Sequence, residues 1–132
     1  MKLSIVIVSW NTKALLASCL KSVFDHVPEF EHEVWVVDNA SNDGSVAMVR
    51  QHFPQVQLIA NEENVGFSPA NNQAIRRCHG RFILLLNPDT EVLPGALEAL
   101  VQFMEAHPDA GAAGSLLLNP DGSLQPSCFP RP

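Results

Sequence analysis

Two aspartates stand where apolar runs of this chain give out. Asp38 follows "VWVV" and Asp89 follows "FILLL" across an Asn-Pro turn, with Asn39 and Asn87 beside them. A carboxylate in such a place can accept hydrogen bonds from a base or a ribose, or hold a hard cation through oxygen. A cation held there would neutralise a diphosphate and stabilise its departure. That matters because the chain carries 8 Lys and Arg against 14 Asp and Glu, a net charge of -6. The same kind of residue gathers at other run ends: Ser9 and Asn11 after the first, Asn42 and Asp43 after the second, Asn61 and Asn64 after the third. Four polar strand ends in succession exceed what connecting loops require, the alternative being ordinary solvated loop chemistry. A second Asn-Pro-Asp, at residues 119–121, lies between two extended segments and reads as a turn alone.

The elements that must position these residues follow from the apolar pattern. Residues 3–8 form a β-branched run, as expected of a parallel strand covered on both faces. Asn11 or Thr12 then caps a helix whose apolar positions are Leu15, Leu16, Leu20, Val23 and Phe24. Residues 34–37 are the second strand, ending in the turn-rich "DNASNDGS", and Asp43 or Ser45 starts the helix "SVAMVRQHF". Residues 56–59 are a short third strand. Ser68 and Pro69 open a helix running to about Cys78, with Gly80 as its stop. Residues 82–86 are the fourth and most apolar strand, and Pro94 opens a helix through Leu97, Leu100, Val101 and Met104. "SLLLNPDGSLQPS" reads as a strand, a turn and a second extended piece. Strands alternating with helices predict an α/β fold: an open, mostly parallel sheet with helices on both faces, its ligand crevice beyond the carboxyl ends of the strands.

At 132 residues and 46% hydrophobic, the chain suffices for one ordinary domain, 1–132, with a buried core. Its mean hydropathy of +0.07 is not that of a disordered tail. The negative balance argues against a nucleic-acid partner. The longest apolar runs are too short to span a bilayer, and Asn11 interrupts the first before it resembles a secretory signal. Cys19, Cys78 and Cys128 are odd in number and far apart, so they are read as reduced thiols of a cytoplasmic protein. No GxGxxG, GxxxxGK[ST] or GxSxG is present, which removes the usual dinucleotide, P-loop and serine-hydrolase signatures.

The segments "SIVIVSWN", "VWVVDNASNDGS", "NEENVGFSPANNQAI" and "FILLLNPDTEVLPGALEAL" together resemble the family 2 glycosyltransferases, and within them the rhamnosyltransferase-like members. The resemblance covers nearly the whole chain and implies a GT-A fold. It implies a nucleoside-diphosphate sugar donor, dTDP- or UDP-linked, a saccharide or lipid-linked acceptor, and a divalent cation, Mg²⁺ or Mn²⁺. Val8, Ser9, Trp10 and Asn11 would line the base through backbone contacts. Asp38 would bind the base or ribose, with Asn39 and Asp43 shaping its loop. Asn64, Gly66 and Asn71 or Asn72 would border the nucleotide and sugar, together with Asn87. Asp89 would be the metal-binding carboxylate.

Departures from the family pattern are also visible. "NPD" stands where the family's Asp-x-Asp would supply two carboxylates. Ala74 takes a place often held by glycine, and Pro69 is an uncommon helix opening. Residues 112–132 resemble the start of the acceptor-side region, so the general base is expected beyond Pro132 and the chain reads as a truncated, donor-binding part of the enzyme. In complete form such an enzyme would work at the inner face of the membrane. The truncation surface would favour self-association, and a non-catalytic nucleotide-sugar-binding module of the same fold is the competing reading.

Overall fold

A computed structural model describes residues 1–126. Strands and helices alternate as β1 (Leu3–Ser9), α1 (Lys13–Asp25), β2 (His32–Asp38), α2 (Ser45–His52), β3 (Gln57–Ala60), α3 (Phe67–Ile75), β4 (Phe82–Leu85) and α4 (Ala96–Ala106). The strands form one sheet in the order β3-β2-β1-β4, with every neighbouring pair parallel. The chain divides into two compact units, Met1–Leu97, which holds the whole sheet, and Glu98–Pro132.

The strand order dictates where the helices lie. Steps from β1 to β2 and from β2 to β3 run one way across the sheet, whereas the step from β3 to β4 returns to the opposite edge. Right-handed crossovers therefore place α1 and α2 on one face and α3 on the other. Ala70 and Ala74 of α3 accordingly close on Val6, Trp35 and Val37 as one buried cluster, with Val8, Ile59, Val65 and Cys78 packed around it. The pleat sends Ile5, Ile7, Val34 and Val36, all buried, to the other face. There the cover is the buried stripe of α1, Leu16, Cys19, Leu20 and Val23, spaced three and four apart. Trp35 is thus a core residue, as its position inside an apolar run suggests.

Several boundaries differ from the sequence expectation, each for a local reason. Thr12 occupies the N-cap position of α1 without a capping side-chain bond. The Lys13 N–H donates instead to the Asp43 carboxylate, 2.9 Å away. By contrast α2 begins at Ser45 as expected, after Gly44 turns through the left-handed region, φ 86°. α3 begins at Phe67, two residues before Pro69, a start that proline permits because N–H groups of the first turn have no intrahelical partner. It ends at Ile75 rather than Cys78, the chain passing through a turn at residues 76–77. Likewise α4 starts at Ala96, after Gly95 adopts φ 77°, not at Pro94.

The tail and the fourth strand depart further. Residues 115–126 hold no strand, only a single antiparallel bridge between Leu118 and Leu124 around the turn that the Gly122 N–H closes on the Asn119 carbonyl at 2.9 Å. Asp121 accepts from the Ser123 N–H and hydroxyl, so the second Asn-Pro-Asp serves that turn. Cys128 and the rest of 127–132 lie outside the described residues. β4, the most apolar run and so read as a buried strand, is among the described residues an edge strand bonded to β1, and Ile83 and Leu85 are 42% and 49% exposed. An unbroken apolar run does not distinguish a central strand from an edge.

An apolar edge of this kind is a template for pairing with a second copy. Sedimentation velocity over a concentration series is expected to show mass rising with concentration, and Ile83→Lys to return the chain to monomer. A monodisperse monomer at high concentration would remove the edge as an association surface.

Candidate functional site

The topological switch point lies between β1 and β4, where the strand order reverses, and the segments leaving these strands and β2 form the rim of the crevice. Register brings Ser9 level with Asp38, and Asp38 level with Ala60. The Asn39 N–H donates to the Ser9 carbonyl and the Asn61 N–H to the Asp38 carbonyl, both at 2.9 Å. The parallel ladder therefore continues one residue past the strands and holds three loop roots in line.

The loops after β1 and β2 are stitched to each other. The Asn11 N–H donates to the Ser41 hydroxyl at 2.8 Å, and the Asn42 N–H to the Asn11 side-chain carbonyl at 2.9 Å. Asn11 and Ala40 both sit at positive φ, 50° and 61°, a conformation that non-glycine residues hold where surrounding contacts over-determine it. Asp43 completes the stitch by accepting from the N–H groups of Lys13 and Ser45. The Ser45 hydroxyl first, then those N–H groups, hold the Asp43 carboxyl below the usual aspartate range. The Asn11 side-chain oxygen and the Asp43 carboxylate thus go to shaping loops, while Trp10 projects with 56% of its surface exposed.

Asp38 is 1% exposed. One carboxylate oxygen accepts the Ser41 N–H at 2.8 Å; the other is buried with no partner among the described residues. A buried carboxylate oxygen left without a donor is costly, and such an atom at a crevice rim is where a ligand donor would be stabilising. Beside it runs a chain of amides. Asn39 donates to the Gly66 carbonyl at 3.2 Å, Asn61 donates to Asn39 at 3.0 Å and to Gln73 at 2.9 Å, and Gln73 returns a bond to Asn61 at 3.1 Å.

This network fixes the entry of α3 over the end of β2. Asn61 is visible in the sequence as a polar strand end, but its partnership with Gln73 carries no sequence signal. Asn64 accepts the Gly66 N–H at 2.9 Å, the buried Asn71 donates to the Phe67 carbonyl at 3.0 Å, and Asn72 is exposed.

On the other side of the switch point, the Leu86 N–H bonds the Val6 carbonyl at 2.9 Å and extends β4 to the Asn87-Pro88-Asp89 turn. Thr90 closes that turn, its hydroxyl donating to the Asn87 carbonyl at 2.7 Å. Asp89 is left exposed beyond the strand end. Beneath it lies Cys19, whose thiol is pushed up to about 11 by burial above all, and further by the carboxylates of Asp89 and Glu91. It therefore stays protonated and is not a nucleophile.

No group of three or more His, Cys, Asp or Glu side chains converges among the described residues. A protein-only cage for a cation is thus not formed by them. One exposed carboxylate does fit Mg²⁺ or Mn²⁺ in the manner of sites completed by substrate phosphates and water.

Comparison with solved structures places the fold among the GT-A glycosyltransferases. Residues 1–349 of S. aureus TarS in complex with UDP superpose with a TM-score of 0.73 at 25% identity, over 81% of this chain and 33% of that one. The fold is shared with the Pyrobaculum calidifontis mannosyltransferase PcManGT, solved with GDP-Man and Mn²⁺, at a TM-score of 0.75 over 91% of this chain and 36% of the other, with 23% identity. In sequence, the N-acetylglucosaminyl-diphospho-decaprenol L-rhamnosyltransferase of Mycobacterium tuberculosis is 32% identical over 110 residues, 75% of this chain and 36% of the enzyme. The chain thus spans about a third of the length of these relatives. The family model described as glycosyl transferase family 2 matches residues 4–126, nearly the entire length, and the chain belongs to that family.

Proposed function

We propose that this chain is the donor-binding part of a glycosyltransferase that moves a sugar, rhamnose by analogy with the M. tuberculosis relative, from a nucleoside diphosphate to an acceptor hydroxyl. The observation that carries the reading is the pairing across one switch point of Trp10, exposed at the end of β1, with Asp89, exposed at the end of the adjacent β4. The first offers an aromatic face for a base and the second a carboxylate for a cation on the diphosphate.

In this reading the base lies against Trp10 and the stitched backbone of residues 8–11. The ribose reaches the buried Asp38, whose unpartnered oxygen would accept a hydroxyl donor. Asn39, Asn64, Gly66 and Asn71 hold the wall on the α3 side, with Asn72 at its exposed rim and Asn87 flanking the diphosphate. Asp89 would hold Mg²⁺ or Mn²⁺, and such an ion, when bound, supplies positive charge to the leaving diphosphate.

The reaction proposed for the whole enzyme is a single displacement. The acceptor oxygen bonds to the anomeric carbon as the bond to the diphosphate breaks, the leaving group takes the electron pair, and configuration inverts. The proton of the acceptor hydroxyl goes to a carboxylate that we do not assign to Asp109 or Asp121. Asp121 is held in its turn by Ser123.

A saccharide or lipid-linked acceptor suits the family relatives, and a lipid-linked one would place the enzyme at the cytoplasmic face of a membrane. No helix among the described residues is long and apolar enough to cross one.

Calorimetric titration with UDP, dTDP, GDP and ADP in Mg²⁺ or Mn²⁺ tests the donor site. Pyrimidine diphosphates are expected to bind more tightly than purine ones. Equal affinity across the four, or none, would remove the base pocket.

A further inference from the structure

The segment that carries Asp89 is pinned at both ends to the same helix. At its start the Cys19 thiol of α1 faces the Asn87 carbonyl at 3.7 Å. At its end the Val92 N–H donates to the Ser22 hydroxyl at 2.9 Å, and that hydroxyl donates in turn to the Cys19 carbonyl at 2.7 Å. Residues 19 and 22 lie one helical turn apart on one face of α1. Cys19 and Val92 are buried, whereas Asp89 between the two anchors is exposed. Residues 87–92 are therefore a strap: two anchorages on α1, an internal Thr90 to Asn87 bond, and two exposed carboxylates, Asp89 at the crest and Glu91 beside the second anchorage.

Nothing in the strap's own bonding uses the Asp89 side chain. A carboxylate meant only to build the turn would accept one of these N–H groups, as Asp121 does in the tail. We infer that Ser22 and Cys19 are positioning residues for the donor site: α1 fixes both ends of the strap so that Asp89 meets the cation on the diphosphate at a set place. The inference rests on the reading of Asp89 as the cation-holding carboxylate. It adds two residues that touch neither nucleotide nor cation but govern how strongly the cation contributes to binding.

The test measures UDP affinity of the whole chain with Mn²⁺ and again with chelator, in Ser22→Ala, Ser22→Thr, Cys19→Ala and Asp89→Asn. The quantity of interest is the ratio of the two affinities. Losing one anchoring bond is expected to lower that ratio about three- to ten-fold in Ser22→Ala and in Cys19→Ala. The chelator value should be unchanged in both, and Ser22→Thr, which keeps the hydroxyl, should recover the ratio.

A merely structural role would weaken binding in both conditions or in neither. If Asp89→Asn abolishes the ratio while both alanine variants keep it, the strap anchors are not positioning residues and the cation reading stands. If Asp89→Asn itself leaves the ratio intact, the cation reading and this inference fall together. Exchange of the Val92 amide provides a check independent of ligand: it should quicken in Ser22→Ala, and unchanged protection would overturn the anchorage.

Discussion

Asp89→Asn is expected to cut cation-dependent nucleoside diphosphate affinity by about ten-fold to more than one hundred-fold, while leaving the fold intact. The magnitude follows from the loss of one charge-assisted contact, roughly 1.5 to 3 kcal/mol. Asparagine keeps the size of the side chain and removes only its charge. The turn survives because its closing bonds run from Thr90 to the Asn87 carbonyl and do not involve residue 89. β4 beneath it stays in register, Phe82 opposite Leu3 and Leu85 opposite Val6.

The decisive measurement is UDP binding to both chains, each with Mn²⁺ and with chelator. Wild type binding equally well in both conditions, or a substituted chain that retains the full cation effect, would make Asp89 a turn residue only. With one carboxylate where the family pattern has two, the same experiment is expected to show a cation held weakly in the absence of nucleotide.

Much of this architecture was legible because parallel strands buried on both faces read as apolar runs. "SIVIV" and "VWVV" have few other ways to fold. What local pattern cannot supply is which run becomes an edge: "FILLL" is more apolar than either, yet Ile83 and Leu85 lie half in solvent. The same limit governs caps. Asn11 and Thr12 are good capping residues by type, but the N-terminus of α1 is satisfied by Asp43, thirty positions away.

The candidate site divides along the same line. Asp38 and Asp89 stood out because a carboxylate at or just past the end of an apolar run is rare without purpose. Asn39, Asn61 and Gln73 form one amide chain whose members come from the residues just past β2 and β3 and from α3, so only the folded sheet brings them together. Ser22 and Cys19 sit on an unremarkable amphipathic stripe. Their importance comes from the 68 and 70 residues that separate them from Asn87 and Val92.

Gly80→Ala is expected to be the most destabilising conservative change in the sheet unit, costing about 3 kcal/mol or more. A methyl group there would stand 2.4 Å from the Ser4 nitrogen, 2.5 Å from its hydroxyl and 2.8 Å from the Leu3 carbonyl carbon. These are atoms of β1, the strand hydrogen-bonded on both sides, so the obstacle cannot swing aside as a flexible side chain would. Moving the glycine outward instead breaks a small polar lattice at the amino ends of the strands. The Gly80 N–H donates to the Ser4 hydroxyl at 2.8 Å, that hydroxyl donates to Glu33 at 2.6 Å, and the His79 N–H donates to the same Glu33 oxygen at 2.6 Å. Ser4 is fully buried, so displacing Gly80 strips its hydroxyl of the N–H it accepts and leaves that N–H without its acceptor, while the bond to Glu33 remains.

For a chain of this size the loss corresponds to a fall in Tm of roughly 10 °C. Thermal and urea unfolding of the two chains would measure it, with Ser4→Ala as a milder companion that removes the hydroxyl without adding bulk. A Tm within about 2 °C of wild type would mean that β4 is free to move away from β1 at its start. The rigid mounting on which the placement of Asp89 depends would then be lost.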